Sequence, residues 1–259
     1  MLGLGLLYRL YERRLLREVR GGTMPRHIGL ILDGNRRYAR ELGLSDPLEG
    51  HRRGADRLEQ VLDWLEELEI RIITIYVLST ENLSRPPEEL HRLLSLIETK
   101  MRSVATDTKI HGKGVRVRAV GQLGLLPASV QEAIRAAEEA TAGYGNFFLN
   151  IAVGYGGRQE IADAVQALLL ERSREGKGLP EAIAEVTPEA IGKYLYTYDL
   201  PDPDLIIRTS GEFRLSGFLL WQSAYSEFYF CDAYWPAFRK IDLLRAVRAY
   251  QQRKRRFGT

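Results

Sequence analysis

The sequence predicts an α/β fold, with a mainly parallel six-stranded sheet that is flanked by helices. Six short runs rich in Ile, Val, Leu, Phe and Tyr have the length and composition of buried strands. Most of them are separated by segments in which apolar residues recur with helical spacing. Strands that alternate with helices are typical of parallel sheets covered on both faces. At 259 residues, without a Ser-, Gly- or Pro-rich tract to divide it, the chain is long enough for one large domain.

The two periodicities place each element in turn. The expected strands cover residues 27–33, 71–79, 115–120, 146–153, 204–208 and 226–230. The expected helices cover residues 50–68, 87–108, 128–142, 157–174, 188–195 and 240–255. Ligands bind parallel sheets beyond the carboxyl ends of the strands. The functional residues are therefore expected in the loops at 33–37, 79–85, 154–158 and 208–216.

The first 20 residues, MLGLGLLYRLYERRLLREVR, are expected to form an amphipathic helix before the first strand. We assign residues 1–22 to this N-terminal helix and residues 23–259 to the main domain. Arginines interrupt the apolar stretch, so it fits neither a membrane span nor a secretory signal. Two interpretations stay open. The helix packs on the domain or a partner subunit, or it lies as a peripheral anchor on an anionic membrane surface.

The composition, with 45% hydrophobic and 27% charged residues, is that of a soluble globular protein. A single cysteine, Cys231, excludes an internal disulfide and a multi-cysteine metal site, and it fits a reducing, cytoplasmic compartment. Only seven of the 37 basic residues are lysines. Guanidinium groups bind phosphate oxygens in pairs, which suits anionic ligands, although heat adaptation or genome composition also raises arginine content. Arginine abundance alone does not indicate nucleic-acid binding, and none is expected.

The loop after the first strand combines a carboxylate with several arginines. Asp33 follows the strand, and Gly34 allows a sharp turn into a helix. Asp33 could simply cap that helix. Arg36, Arg37 and Arg40 favour an anion site, because helix N-terminal amides and guanidinium groups together bind anions. A carboxylate beside phosphates needs an intervening cation, and Mg²⁺ is often shared between carboxylates and a diphosphate. The cap and the magnesium diphosphate site both remain open on these residues alone.

Two further loops carry arginines and hydroxyl groups. Ser84 is a suitable cap for the helix that begins near Pro86, but capping does not explain Arg85. In the later loop, Arg208 and Arg214 flank a turn. Either both side chains converge on one anion, or both lie in solvent. The polar residues of the two loops are Ser79, Glu81, Asn82, Arg85, Arg208, Arg214 and Ser216.

Other motifs exclude several chemistries. GYGGR at 154–158 matches neither the Walker pattern nor G-x-G-x-x-G, so it supports a nucleotide site only weakly. The four histidines show no i, i+4 pairing and no H-E-x-x-H motif, so a catalytic zinc is not expected. The absence of a Gly-x-Ser-x-Gly elbow disfavours a hydrolase. The basic tail RKRRFG is typical of a solvated helix end.

Seven blocks resemble, in the same order, those of cis-prenyltransferases, the undecaprenyl and dehydrodolichyl diphosphate synthase family. They are HIGLILDGNRRYAR, GH at 50–51, STENLSRP, LNIAVGYGGR, DLIIRTSGEFRLSGFLLWQ, SEFYF and RRFG. The resemblance covers about residues 24–258, and the segment YTYDLPDPDLIIRTSGE is more similar to the archaeal and eukaryotic branches. It implies a parallel-sheet fold with a hydrophobic tunnel for the growing prenyl chain.

The resemblance also implies an activity. Members of this family condense isopentenyl diphosphate repeatedly onto an allylic diphosphate, such as farnesyl or geranylgeranyl diphosphate, and each new double bond is Z. The expected product is a long polyprenyl diphosphate that serves as a glycosyl carrier lipid, and the expected cofactor is Mg²⁺.

The implied catalytic and metal-binding residues lie mainly in the first block. Asp33 matches the magnesium-linked aspartate, and Asn35 matches a neighbouring asparagine implicated in catalysis. Arg37 matches the arginine that holds the allylic diphosphate. His51 matches a histidine near the aspartate, and Glu227 matches the second acidic residue of the magnesium site.

The remaining implied residues bind substrate or a second subunit. Arg208, Arg214 and Ser216 match the isopentenyl diphosphate site. A tail with Arg256 and Gly258 resembles one that reaches a neighbouring active site, which implies a homodimer. Gly34 and Arg36 supply neighbouring backbone, and Tyr38 is apolar enough for contact with the prenyl chain. The loop that closes over the substrate contains Ser79, Glu81, Asn82 and Arg85.

Three positions depart from the family pattern. Pro47 stands where the family usually has an arginine, and Tyr38 and Leu83 stand where it has tryptophan. Proline at position 47 removes one hydrogen-bond donor to phosphate. This loss motivates the alternative that the enzyme makes a short or unusual product. A noncatalytic partner subunit is a further alternative. It is disfavoured because the chain retains the aspartate at position 33 and the arginines of the diphosphate sites.

Overall fold

The computed structural model describes residues 2–253, and its six strands form one sheet with the order β3-β4-β2-β1-β5-β6. All neighbouring strands are parallel. The predicted α/β fold with a six-stranded, mainly parallel sheet is confirmed. The strands are β1 (His27–Ile31), β2 (Ile72–Ser79), β3 (Val115–Val120), β4 (Phe147–Tyr155), β5 (Leu205–Arg208) and β6 (Glu227–Phe230).

Helices cover both faces of the sheet. They are α1 (Leu2–Arg20), α2 (Asn35–Glu41), α3 (Leu48–Glu67), α4 (Pro87–Val104), α5 (Thr108–Lys113), α6 (Ala128–Thr141), α7 (Gly157–Arg174), α8 (Leu179–Ala184), α9 (Pro188–Gly192) and α10 (Lys240–Gln252). Short 3₁₀ helices lie at Glu81–Ser84, Leu123–Leu125 and Trp235–Ala237. The larger core contains apolar residues of α1, α3, α4, α6 and α10. A smaller cluster, which includes Tyr76, Tyr155 and Phe218, covers the other face.

Two element boundaries differ from the prediction for local reasons. The strand β1 ends at Ile31 instead of residue 33, because the Asp33 amide turns back to the Ile31 carbonyl (2.9 Å) and the Thr209 hydroxyl (3.0 Å). The helix expected at 87–108 is α4 and ends at Val104, and a separate short helix, α5, follows it. The Asp107 side chain accepts hydrogen bonds from the first amides of α5 and so starts a new helix there.

The predicted N-terminal helix is present as α1, and its inner face packs on α10. Leu15 and Val19 on that face are 1% and 0% exposed. On the outer face Leu7 and Leu10 are exposed. Across residues 2–253, no helix has both the length and the apolar character needed to cross a membrane.

Candidate active site

A polar cavity of about 590 Å³ lies at the carboxyl ends of β1, β2 and β5. Three of the four predicted loops line this cavity, and the loop at 154–158 does not. The predicted residues that the structure brings together here are Asp33, Gly34, Asn35, Arg36, Arg37, His51, Ser79, Asn82, Arg85, Arg208, Arg214 and Ser216.

Asp33 is held at the centre of the cavity by two arginines. Its Oδ2 atom lies 2.7 Å from Arg208 Nη2, and its Oδ1 atom lies 3.2 Å from Arg37 Nη2. Burial alone would raise the pKa of Asp33. The hydrogen bonds and charges of Arg208 and Arg37 outweigh burial and lower that pKa, so the side chain is a carboxylate at neutral pH.

Gly34 makes the turn from β1 into α2 possible. Its φ of 100° lies in the left-handed region, and an added Cβ atom would lie 2.6 Å from Tyr234 Cδ1. Both the backbone conformation and the close approach require glycine here. The turn directs the first residues of α2 toward the cavity.

Arg208 is almost fully buried, with 4% of its side chain exposed. Besides Asp33, its Nη1 atom donates to Ser216 Oγ (2.9 Å) and to the Arg214 carbonyl. The buried Nε atom has no hydrogen-bond partner within residues 2–253. A buried guanidinium group with spare donor capacity is suited to bind an additional anion.

Glu212 is a functional candidate that the sequence reasoning did not single out. It lines the cavity between two arginines, 2.9 Å from Arg37 Nη1 and in contact with Arg214. The Arg37 Nη2 atom also donates to Ser210 Oγ at 2.6 Å. The position of Glu212 between Arg208 and Arg214 in the chain was the signal that could have identified it.

The rim of the cavity contains a carboxylate that is shared by two arginines. Glu89 on α4 lies 3.1 Å from Arg36 Nη1 and 3.2 Å from Arg85 Nη1. Burial and the nearby Arg36 charge lower the pKa of Arg85, which reflects crowding of positive charge. In total six arginines line the cavity, against two carboxylates, Asp33 and Glu212. Arg40, which the sequence placed with Arg36 and Arg37 as favouring an anion site, is one of them. This excess of positive charge suits a polyanion.

An apolar cavity of about 170 Å³ opens directly from the polar one. The two share Leu32, Asn35, His51 and Val77, and the apolar cavity extends between α3 and α4 toward Ile110. It is lined by side chains such as those of Leu58, Leu62, Ile75, Leu93, Ile97, Met101, Leu149 and Ile151. This geometry is that of the predicted tunnel, with a charged mouth and an apolar interior.

Asn35 and His51 lie where the two cavities meet. The Asn35 Nδ2 atom donates to the Leu32 carbonyl at 2.9 Å, and this bond fixes the orientation of the amide. Its Oδ1 atom is buried and has no partner in the described part of the chain. Burial, with the charges of Arg85 and Arg36, lowers the pKa of His51 to about 4. In the ligand-free protein His51 is therefore neutral at pH 7.

Three predicted residues do not line the cavity. Tyr38 contacts Arg53, and Glu81 is exposed in its 3₁₀ helix. Glu227 begins β6 and pairs in register with Leu205, at the opposite end of the strands from Asp33. The assignment of Glu227 as the second residue of the magnesium site stays a prediction, and the length of a strand separates it from Asp33 within one chain. The predicted tail residues Arg256 and Gly258 lie outside the described residues.

Pro47 occupies the N-cap position of α3 and lines a side cavity of about 490 Å³. This cavity shares Arg36, Arg40, His51 and Arg85 with the main one, and it also contains Arg92. Guanidinium groups thus remain close to the position where the family arginine is missing.

The site can accommodate Mg²⁺ only together with a substrate. Within residues 2–253, no three His, Cys, Asp or Glu side chains are grouped to hold a metal ion. Mg²⁺ commonly uses one or two carboxylates plus phosphate oxygens and water. The carboxylate of Asp33 is partly exposed at the centre of a cation-lined cavity, so it fits that mode of binding.

Comparisons with known proteins agree with this geometry. A family model described as "Putative undecaprenyl diphosphate synthase" matches residues 31–258. The chain is 57% identical over 252 residues to tritrans,polycis-undecaprenyl-diphosphate synthase (geranylgeranyl-diphosphate specific) of Methanopyrus kandleri, covering 97% of this chain and 91% of that protein. It is 54% identical over 252 residues to (2Z,6E)-farnesyl diphosphate synthase of Thermobifida fusca, covering 97% of each.

A solved structure has the same fold. Lavandulyl diphosphate synthase from Lavandula x intermedia, crystallised with dimethylallyl diphosphate, superposes with a TM-score of 0.84 at 32% identity, covering 93% of this chain and 100% of that one. The similarity to an archaeal type of sequence stays a prediction, because these relatives come from diverse organisms. With the matched family model and the high identities, the chain belongs to the undecaprenyl diphosphate synthase family and is a cis-prenyltransferase that elongates prenyl chains.

Proposed function

We propose that this enzyme joins isopentenyl diphosphate to an allylic diphosphate in a Mg²⁺-dependent reaction centred on Asp33. The observation that carries this proposal is the carboxylate of Asp33 between Arg208 and Arg37, in a cavity where arginines outnumber carboxylates. Arg208, Arg214 and Ser216 are proposed to bind the isopentenyl diphosphate, and Arg37 the allylic diphosphate.

The arginines stabilise negative charge as the allylic carbon–oxygen bond breaks and diphosphate departs. When bound, Mg²⁺ supplies further stabilisation of that charge, and Asp33 would hold it together with diphosphate oxygens. The isopentenyl double bond then attacks the allylic carbon, and the resulting cation loses a proton from C2 to an oxygen of the departed diphosphate, which forms the new double bond. Leu32 and Val77 at the mouth of the apolar cavity exclude water from the cationic carbon.

Asp33→Ala should lower turnover by about 10²-fold or more, because it removes the metal ligand. The fold should persist at reduced stability, since Arg208 keeps its bonds to Ser216 and to the Arg214 carbonyl but loses its carboxylate partner. The measurement is incorporation of radiolabelled isopentenyl diphosphate, with and without Mg²⁺, alongside thermal unfolding. Asp56→Ala, at an exposed position of α3, is the matched control. Near-normal incorporation by Asp33→Ala would refute the proposed role.

The proposed product is a long polyprenyl diphosphate, which is supported by the apolar cavity that continues from the reacting end toward Ile110. A short product is the second candidate, because a relative at 54% identity is named (2Z,6E)-farnesyl diphosphate synthase. Incubation with dimethylallyl, geranyl, farnesyl or geranylgeranyl diphosphate, followed by sizing of the lipids, distinguishes the two. Products of fifteen or twenty carbons alone would exclude the first.

A homodimer is proposed from the residues at the β6 edge of the sheet. The last strand, β6, carries Phe228 and Phe230, and the ring of Phe213 lies 5.0 Å from that of Phe230. Phe213 is 77% exposed. An aromatic patch on the last strand of the sheet supports pairing with a second copy. We refer to these three phenylalanines as the edge patch.

Peripheral contact with a membrane is proposed for the outer face of α1, in an otherwise cytoplasmic enzyme. Leu7 and Leu10 are exposed there beside Arg13, Arg14 and Arg17. Exposed leucines with neighbouring arginines are suited to an anionic lipid surface. Co-sedimentation with vesicles that contain phosphatidylglycerol, but not with phosphatidylcholine vesicles, is the expected result. Equal recovery with both vesicle types would contradict it.

A further inference from the structure

The glycine-rich segment 154–158, GYGGR, does not line the substrate cavity, but it contacts the turn that carries Ser216. The amide of Gly157 donates to the Gly217 carbonyl at 2.9 Å. A Cβ atom at Gly157 would lie 2.5 Å from that oxygen, closer than any real Cβ contact. Glycine is therefore required for the first turn of α7 to rest against this turn.

The turn at residues 216–219, here called the anion turn, has an unfavourable backbone. Ser216 and Leu219 have φ values of 50° and 46°, in the left-handed region that non-glycine residues seldom adopt, and Gly217 has 80°. Residues persist in this region when the surrounding structure holds them there, and such positions cluster at functional sites. Ser216 itself receives the Arg208 guanidinium, so this backbone sets the geometry of the diphosphate cavity.

A cluster of aromatic residues holds the anion turn in place through hydrogen bonds and ring contacts. The Tyr76 hydroxyl lies 3.1 Å from the Ser216 carbonyl and 3.2 Å from the Tyr155 carbonyl. Phe218 is fully buried, and its ring stacks on Tyr76 with centroids 4.9 Å apart. The ring fits only because β1 has glycine at position 29, where a Cβ atom would lie 3.0 Å from Phe218 Cε1.

A buried carboxyl group anchors this cluster. Glu160 on α7 is 1% exposed, and its hydrogen-bond partners are all neutral groups. They are the Tyr155 hydroxyl, the Gln222 side-chain amide at 3.0 Å and the Tyr196 backbone amide at 2.9 Å. The Tyr155 ring also packs edge-on against that of Phe218 in the anion turn, with centroids 6.2 Å apart, so Glu160 is one residue removed from this turn. Burial raises the pKa of Glu160 and outweighs the hydrogen bonds that it accepts. A buried carboxyl without a cation is costly to keep, which points to a role beyond packing.

We propose that Glu160 is a positioning residue that, through Tyr155 and together with Gly157, holds the anion turn in the conformation that binds the diphosphate of the homoallylic substrate. The GYGGR segment then acts as a support for the anion site. The identity of the ligand rests on the proposed function, whereas the support of the turn rests on the contacts alone.

The first test compares Gly157→Ala with Gly112→Ala. Gly112 lies in α5 with open space around its Cα atom, so its substitution controls for the added methyl group. Gly157→Ala should raise KM for isopentenyl diphosphate by roughly five- to tenfold, which corresponds to loss of about one good hydrogen bond, with the allylic KM within about twofold. Gly112→Ala should change neither. An equal rise of both KM values for Gly157→Ala would overturn the proposal.

The second test separates positioning from general stability. Glu160→Ala should raise the isopentenyl KM as Gly157→Ala does, and the conservative Glu160→Gln should restore most of the affinity because its amide can still accept from Gln222 and Tyr196. Thr141→Val, which removes a fully buried hydroxyl from α6, provides a destabilised control with unchanged KM values. The proposal fails if Thr141→Val shifts the isopentenyl KM as much at similar loss of stability.

Amide hydrogen exchange gives a readout that needs no activity. Exchange of amides in 214–219 should accelerate in Glu160→Ala and Gly157→Ala more than in the strands of the sheet. If the wild-type enzyme fails to use isopentenyl diphosphate but this exchange still accelerates, the support of the turn stands and the proposed function falls. Unchanged exchange at 214–219 in both variants would show that neither residue holds the turn.

Discussion

Arg208 shows how one side chain joins separate parts of the active site. It is buried between Asp33 after β1 and Ser216 in the anion turn, and it also contacts the Arg214 carbonyl. A buried guanidinium group without a carboxylate is strongly unfavourable, so the pair is maintained in the absence of ligand. At this scale, charge placement fixes the geometry before any substrate binds.

His27 is one of two histidines, with His51, whose pKa is lowered by burial and whose ionisation should lower stability in mild acid. Its Nδ1 atom lies 2.7 Å from the Pro201 carbonyl and so carries the proton, while Nε2 accepts from the Thr74 hydroxyl at 2.8 Å. Burial lowers the pKa of His27 to about 4, although the Pro201 carbonyl and Asp204 favour the cation. The unfolded chain, with an ordinary histidine pKa near 6.5, binds the proton more tightly.

The free energy of unfolding should therefore fall as the pH is lowered from 6.5 toward 4. At pH 5 the loss from His27 amounts to about 2 kcal/mol. Urea unfolding at pH 7 and pH 5 measures it, and His27→Gln should lose this part of the pH dependence. His91→Gln, at an exposed position of α4, should keep it. Equal pH dependence in His27→Gln and the wild-type protein would contradict the assignment.

At the scale of elements, a single glycine allows the two helices at the entrance of the active site, α2 and α3, to approach each other closely. A Cβ atom at Gly50 of α3 would lie 2.0 Å from the Asn35 backbone carbonyl at the start of α2. This close approach explains the glycine beside His51. It also places Asn35 at the junction of the two cavities.

Gly50→Ala should displace the start of α2, because a backbone atom cannot rotate away as a side chain can. We expect a loss of about 1–3 kcal/mol in the free energy of unfolding, as for an overpacked core site, and a marked fall in turnover. Gly192→Ala, at the open end of α9, should be neutral within about 0.5 kcal/mol. Urea unfolding and incorporation assays measure both, and wild-type behaviour of Gly50→Ala would show that the approach is looser than described.

The sequence anticipated the six strands and three of the loops that meet at the site, because strand periodicity and the carboxyl-end rule are local signals. It extended α4 to residue 108 and did not predict α5, since the Asp107 cap has no effect on apolar spacing. Tyr76 was hidden inside an apolar strand, and no periodicity distinguishes a tyrosine that supports the anion turn from one that fills a core. Glu227 was grouped with Asp33 because a resemblance conveys residue roles but not at which end of the strands a residue lies.

At the scale of the whole molecule, the two ends of the sheet differ. The edge strand β3 alternates buried residues with arginines, and Arg116 and Arg118 suit an edge that meets water. The other edge, β6, carries the edge patch instead. This asymmetry favours β6 as the contact between two copies.

Phe213→Glu should therefore weaken the proposed dimer by placing a charge in the edge patch. Sedimentation velocity across a range of protein concentrations should show the mass of two chains for the wild-type protein and a shift toward one for the variant. Leu179→Glu changes a 69% exposed leucine on α8 and should leave the mass unchanged. A wild-type protein that sediments as one chain at every concentration would rule the dimer out.

Glu89 has a consequence for which ligands the enzyme can admit. One of its carboxylate oxygens already accepts hydrogen bonds from both Arg36 and Arg85. A ligand with a single negative charge would only replace Glu89 as the partner of these arginines, so it would gain little binding free energy. A diphosphate group, with several negative charges, can displace Glu89 from Arg36 and Arg85. The entrance of the site therefore selects ligands by charge density, independently of the length of their carbon chain.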